Sequence, residues 1–137
     1  MRALMFKRVL SVPPGYAERG CLLVSYSLPL LPHCFVLCHD DASTGSQQGK
    51  VELLAFFMSE AQRLAQDFAG NPDAFLLIHS GAAVRKRPNW HLHVFVVRHR
   101  WQKAWVYMVL GVKNAALALW HALTGARASS PAVQVKR

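Results

Sequence analysis

Two histidines, His91 and His93, stand one residue apart in the run Trp90-His91-Leu92-His93-Val94-Phe95-Val96-Val97. Side chains at i and i+2 of an extended chain leave the same face, so the two imidazoles project side by side. That geometry suits two kinds of chemistry. It can hold a metal ion, with a third ligand such as His79 or His99, or one imidazole can attack phosphorus while the other binds phosphate oxygens. Imidazole is a good nucleophile near neutral pH because a useful fraction of it is uncharged there. Phosphoryl chemistry also requires positive charge around the oxygens. Arg85, Lys86 and Arg87 stand four to six residues before His91, in a loop from Gly81 to Asn89 that is short enough to fold back over the start of the histidine strand. Gly81 allows a sharp turn and Pro88 stiffens the exit. The competing reading is a pair of histidines without a role, beside a solvated basic turn.

The elements that must position this pair are legible from periodicity. Cys21–Tyr26 and His33–Cys38 are short apolar runs rich in β-formers, separated by Pro29 and Pro32, and they read as neighbouring strands. Polar residues from His39 to Lys50 form a loop. Leu54, Phe57, Met58, Ala61, Leu64, Ala65 and Phe68 then recur at spacings of three and four, the signature of a helix with one apolar face. Gly70 supplies its stop, and Asn71-Pro72-Asp73 the turn. Phe75–Ser80 is a third strand and Trp90–Arg98 a fourth. In the fourth, Trp90, Leu92, Val94 and Val96 point one way and His91, His93, Phe95 and Val97 the other. The order predicts an α+β fold, an antiparallel sheet with a helix packed on one face. The first twenty residues are ambiguous beyond a turn at Pro13-Pro14-Gly15.

The stretch Phe75–Gly81, a loop, and then Trp90-His91-Leu92-His93-Val94-Phe95-Val96-Val97 resembles the core of the histidine triad (HIT) superfamily, in which an apolar strand and short loop precede His-x-His-x-His and further apolar residues. Pro32-His33-Cys34-Phe35-Val36-Leu37 is similar to the family's Pro-Gly-His strand, and Lys50–Phe68 to its helix. The similarity covers roughly residues 21 to 98. It implies a single domain over 1–123 and a nucleotide as substrate or ligand. It places Asn89 at the first histidine of the triad, His91 at the second and His93 at the third. In the family the second histidine attacks the α-phosphorus, a covalent nucleotidyl-histidine forms, and water releases the nucleoside monophosphate. His91 would be the nucleophile and His93 a phosphate ligand. A main-chain carbonyl near Asn89 could accept from His91 Nδ1–H and leave Nε2 as the nucleophilic atom. Arg85, Lys86, Arg87, Asn89 and His79 are the remaining candidate phosphate-binding residues. The first histidine is absent, the loop lacks the family's Gln/Ser pattern and usual glycines, and Cys38-His39-Asp40-Asp41 follows the second strand. The alternative is therefore a HIT-like module that binds nucleotide or RNA without turnover. No cofactor or resident metal is implied.

Composition limits the partners. Of 137 residues, 53% are hydrophobic and 17% charged, enough for a packed core and unlike a disordered chain. Sixteen Lys and Arg against seven Asp and Glu give a net charge of +9, which favours anionic partners. The three cysteines, Cys21, Cys34 and Cys38, are odd in number and form no CxxC pair, so a reducing cytoplasm is expected. Cys34 and Cys38, with His33 and His39 nearby, are a weak zinc signal. Lys7 and Arg8 interrupt any secretory apolar stretch. Residues 104–123 are apolar nearly all round and helical in period. They are expected to be buried, against the sheet or in a homodimer. A membrane span is disfavoured, because Lys113 and Asn114 fall at the centre and a central Lys costs about 2.5 to 3.5 kcal/mol. Aromatics beside Arg98, Arg100 and Lys103 leave nucleic acid as a further possible partner. The segment from Thr124 reads as a disordered basic tail.

Overall fold

A computed structural model of the chain describes residues 9–40, 47–81 and 89–124. The fold is α+β. Five antiparallel strands, β1 (Val9–Ser11), β2 (Cys21–Leu28), β3 (Leu31–His39), β4 (Phe75–His79) and β5 (His91–Val96), form an open sheet in the order β1-β2-β3-β5-β4. Helix α1 spans Gln47–Ala69 and joins β3 to β4; helix α2 spans Arg100–Thr124. The crossover through α1 returns the chain so that β4 runs parallel to β3, and β5 fills the place between them with an antiparallel partner on each side.

The register separates the two faces of the sheet. Phe35, Leu37, Leu92, Val94, Val96, Cys21 and Leu23 belong to the buried core together with Leu53, Phe57, Ala61 and Leu64 of α1. Phe75, Leu77 and Trp90 pack against that cluster from its margin. Burial of these side chains supplies the main driving force for closing α1 over the sheet, roughly 1.5–3 kcal/mol for each large apolar residue. Phe57, Ala61, Leu64 and Ala65 of the expected stripe are buried, but the buried face is shifted toward Leu53. Leu53 is buried, whereas Leu54, Met58 and Phe68 are 44%, 41% and 39% exposed. Either choice satisfies a spacing of three and four, so the pattern alone does not discriminate between adjacent stripes. The helix also starts at Gln47, inside the segment expected to be loop.

The C-terminal end of α1 is fixed by specific bonds. Gly70, at φ 69°, donates its N–H to the carbonyl of Gln66, and Arg98 donates to the carbonyl of Phe68. A glycine in the left-handed region and a cation on the last carbonyls are both favoured at a helix C-terminus. Tyr16, 1% exposed, donates to Glu60 Oε2 at 2.7 Å and packs edge-on against Phe56, which fastens the N-terminal segment to α1. Glu60 is held in turn by Arg63, which also reaches Asp67. The strand β1 and the 3-10 turn Ala17–Arg19 lie in the region whose sequence is ambiguous. A three-residue edge strand leaves too little pattern to read.

By contact the chain divides into two compact units, Met1–Lys103 and Ala104–Arg137. In α2, Gln102 Oε1 accepts from the backbone N–H groups of Arg98 and His99, closing the first turn as the third residue of a capping box does. Within the single chain most of this apolar helix is exposed. Val106 is its buried residue, and Trp101, Tyr107, Met108, Val112, Leu119, Trp120 and Leu123 are all more than half exposed or close to it. The tail expected to be disordered lies outside the described residues, except for Thr124, which closes the helix.

Two stability outcomes follow. In the β2–β3 turn, Leu30 sits at φ 65° after Pro29 and is 65% exposed. A β-carbon in that conformation costs about 1–2 kcal/mol, and glycine removes the cost for a smaller loss of chain entropy. Leu30→Gly should stabilise the fold by about 0.5–1 kcal/mol, read as a higher urea midpoint. Burial pushes the Cys21 and Cys34 thiols up to about 11. The folded state thus favours the neutral thiols. Their contribution is complete below about pH 9, and it is lost as the unfolded chain ionises between about pH 9 and about pH 11. Tyr16, raised by burial and by Glu60, acts in the same direction at higher pH. The urea midpoint should fall over this range, and less steeply in Cys34→Ala.

Candidate functional site

The site is built by β5. Because Leu92, Val94 and Val96 enter the core against α1, His91 and His93 must leave the sheet on its other face. Both are half-buried, and their rings lie 5.4 Å apart, centroid to centroid, at an interplanar angle of 83°. His93 is stacked at 6.3 Å on Phe95, which is 1% exposed, so the second ring rests on a fixed aromatic base.

The orientation of His91 is set by main chain. Its Nδ1 lies 3.0 Å from the carbonyl oxygen of Asn89. A carbonyl can only accept, so Nδ1 carries the proton, and in the neutral ring the lone pair is on Nε2. The carbonyl comes from the residue two before it, at the mouth of the strand. The Asn89 side chain is used elsewhere: its amide donates to the carbonyl of Asp40 at 3.3 Å. Asp40 in turn donates its N–H to Gly20, and His39 donates its N–H to the carbonyl of Trp90. The turn that presents the Asn89 carbonyl is therefore tied to the end of β3 by two bonds.

The other candidates fall in three places. Asn89 stands beside His91. His79 is across the sheet: its register partner is Leu92, its ring lies 4.9 Å from Trp90, and its Nδ1 donates to the carbonyl of His91 at 3.0 Å. It faces the α1 side and is not brought together with the histidine pair. Arg85, Lys86 and Arg87 lie outside the described residues. Among the described residues, no group of three or more His, Cys, Asp or Glu side chains is placed to hold a metal ion. Cys34 and Cys38 do share a face, but His33 and His39 alternate to the other; His33 is stacked on Phe68 at 4.5 Å.

Sequence reading gave Cys38 a weak zinc signal and no place beside the histidine pair. The register sets it directly opposite His91, with Val36 and Ile78 flanking His93. The floor around the imidazoles is thus a thiol and two β-branched side chains. Cys34 and Cys38, four residues apart, share one side of an extended strand, which becomes informative only once the pairing register is known. A shallow cleft of about 310 Å³ lies elsewhere, at the β2–β3 hairpin end, lined by Ser25, Ser27, His33, Phe35 and Phe68. It is far along the strands from His91, since Cys34 pairs with Phe95 at the opposite end of β5.

The sequence matches no protein-family model, no curated protein and no solved structure.

The carbonyl bond makes a definite statement about the proton. Nitrogen-15 NMR of the neutral ring should show His91 mainly as the Nδ1–H tautomer, the minor form of free histidine. A dominant Nε2–H signal would contradict the geometry.

Proposed function

We propose that the chain is a HIT-like nucleotide hydrolase or nucleotidyl transferase acting at the α-phosphate, with His91 as nucleophile. The observation that carries this reading is the His91 Nδ1–Asn89 carbonyl bond, which directs the lone pair of Nε2 away from the backbone. It supplies by main chain the orientation that a nucleophilic imidazole needs, and a first histidine at position 89 is not required for it.

The reaction is written in two displacements. Nε2 of His91 forms a bond to the α-phosphorus as the bond from phosphorus to the leaving group breaks, and the leaving group takes up a proton. Water, or another acceptor hydroxyl, then attacks phosphorus. The phosphorus–nitrogen bond breaks, the acceptor's proton is released, and the neutral imidazole is restored along with a nucleoside monophosphate or its ester. His93, whose ring lies 5.4 Å away, is the proposed second contact to the same phosphate group. Arg85, Lys86 and Arg87 are the cations proposed to neutralise its oxygens. A nucleotide is the only small molecule this requires, and no cofactor enters.

A second reading, binding without turnover, is favoured by one feature. Asn89 replaces the first histidine, and its amide is engaged with Asp40.

Incubation with a nucleoside phosphoramidate or a dinucleoside polyphosphate separates the two. Turnover by the wild type, with a loss of about a thousandfold or more in His91→Ala, is expected if His91 is the nucleophile. Equal turnover by both proteins would overturn the enzymatic reading. Nucleotide binding with no turnover by the wild type would establish the second.

A further inference from the structure

Two neighbouring strands bring a thiol against the oriented imidazole. Cys38 of β3 is the register partner of His91 of β5. The next residue, His39, donates its N–H to the carbonyl of Trp90, which the register sets across from it. Pairs along an antiparallel ladder alternate between hydrogen-bonded and non-hydrogen-bonded kinds. The His39–Trp90 pair is of the first kind, so Cys38 and His91 form a pair of the second, in which side chains approach more closely. Facing β-carbons of such pairs lie about 4.5–5.5 Å apart, within the reach of a thiol and a ring. On its other side Cys38 faces Leu22 of β2.

The three cysteines differ in what can reach them. Cys21 and Cys34 are 1% and 0% exposed, and burial opposes their ionisation. Cys38 is only partly buried. The thiolate, not the thiol, is the nucleophile, and an adjacent imidazole or cation favours it. Leu22 supplies neither. His91 can, because the Asn89 carbonyl holds its Nδ1 proton and leaves the lone pair on Nε2 to accept one. A nucleophile, a base and a group that orients the base are the parts of an activated nucleophile. Disulfide exchange asks for a thiolate and a proton carrier and no more, whereas acyl transfer also asks for donors placed on an oxyanion.

We propose that Cys38 is a site of mixed-disulfide formation with small-molecule disulfides, with His91 as the base. Nε2 of His91 takes the thiol proton, and the Cys38 sulfur attacks one sulfur of the disulfide. The new sulfur–sulfur bond forms as the old one breaks, so Cys38 is oxidised and the departing sulfur reduced. The departing thiolate takes the proton from the imidazolium, which restores the neutral ring. The adduct then stands beside His91 and closes that ring to other ligands. This last consequence rests on the nucleotide reading; the exchange itself does not.

The test treats the folded full chain with dithiobis(nitrobenzoate), an aryl disulfide whose released thiolate is coloured. One equivalent is expected to react, with peptide mass analysis placing the adduct on Cys38, while Cys21 and Cys34 react only once urea unfolds the chain. Cys38→Ser should abolish the folded-state reaction. His91→Gln should slow it by about tenfold or more, while in urea both proteins react at the same rate. Nitrogen-15 NMR of the wild type reads the same contact without a variant: the His91 ring signals should shift on adduct formation. No folded-state adduct on Cys38, an unchanged rate in His91→Gln, or His91 signals unmoved by the adduct would overturn the proposal. Failure of nucleotide turnover beside a normal exchange rate would overturn the nucleotide reading alone. Where turnover is present, the adducted protein should lose it and regain it on reduction.

Discussion

The arrangement of this protein depends on which way the β5 strand faces. Leu92, Val94 and Val96 are taken by the core beneath α1, and Leu92 and Val94 are almost fully buried. A strand alternates without exception unless a bulge intervenes, and the β5 register with β3 and β4 is unbroken from His91 to Phe95 and from Leu92 to Val96. The free energy of core burial thereby holds the two imidazoles on the opposite face. A slip of one residue would reverse every side chain at once, placing both histidines in an apolar interior and three aliphatic residues outside. The cost of that exchange is many times the cost of orienting one ring, so the histidine geometry follows from packing.

The second determinant is main chain. A side chain at position 89 could have oriented His91, but the carbonyl of the same residue does so from a turn tied to β3. A main-chain acceptor persists through substitution, provided the turn keeps its shape. Asn89 contributes to that shape through Asp40. It therefore acts as a positioning residue for the loop, while its carbonyl meets the imidazole.

Much of this was legible in the sequence. The 2-residue alternation of β5 and the 3–4 spacing of α1 are properties of which residues can be buried together, and they gave the fold class, the succession of the longer elements along the chain and the outward histidines. The Gly70 stop and the carbonyl acceptor near Asn89 were also anticipated. Register was not legible, because it depends on partners distant in sequence. His79 reads as a neighbour of the pair until its pairing with Leu92 sets it on the other face, and Cys38 reads as part of a weak zinc signal until its pairing sets it beside His91. The shift of the buried face of α1 toward Leu53 has the same origin. Leu53 and Leu54 are equally apolar, and only the packed fold chooses between them: Leu53 is buried and Leu54 is 44% exposed.

Helix α2 shows what composition leaves open. Its apolar residues favour burial, but apolar content does not state what the cover is. Within one copy of the chain Met108, Val112, Leu119 and Leu123 are 49%, 64%, 61% and 76% exposed, so the periodicity that sets the helix says nothing of its partner.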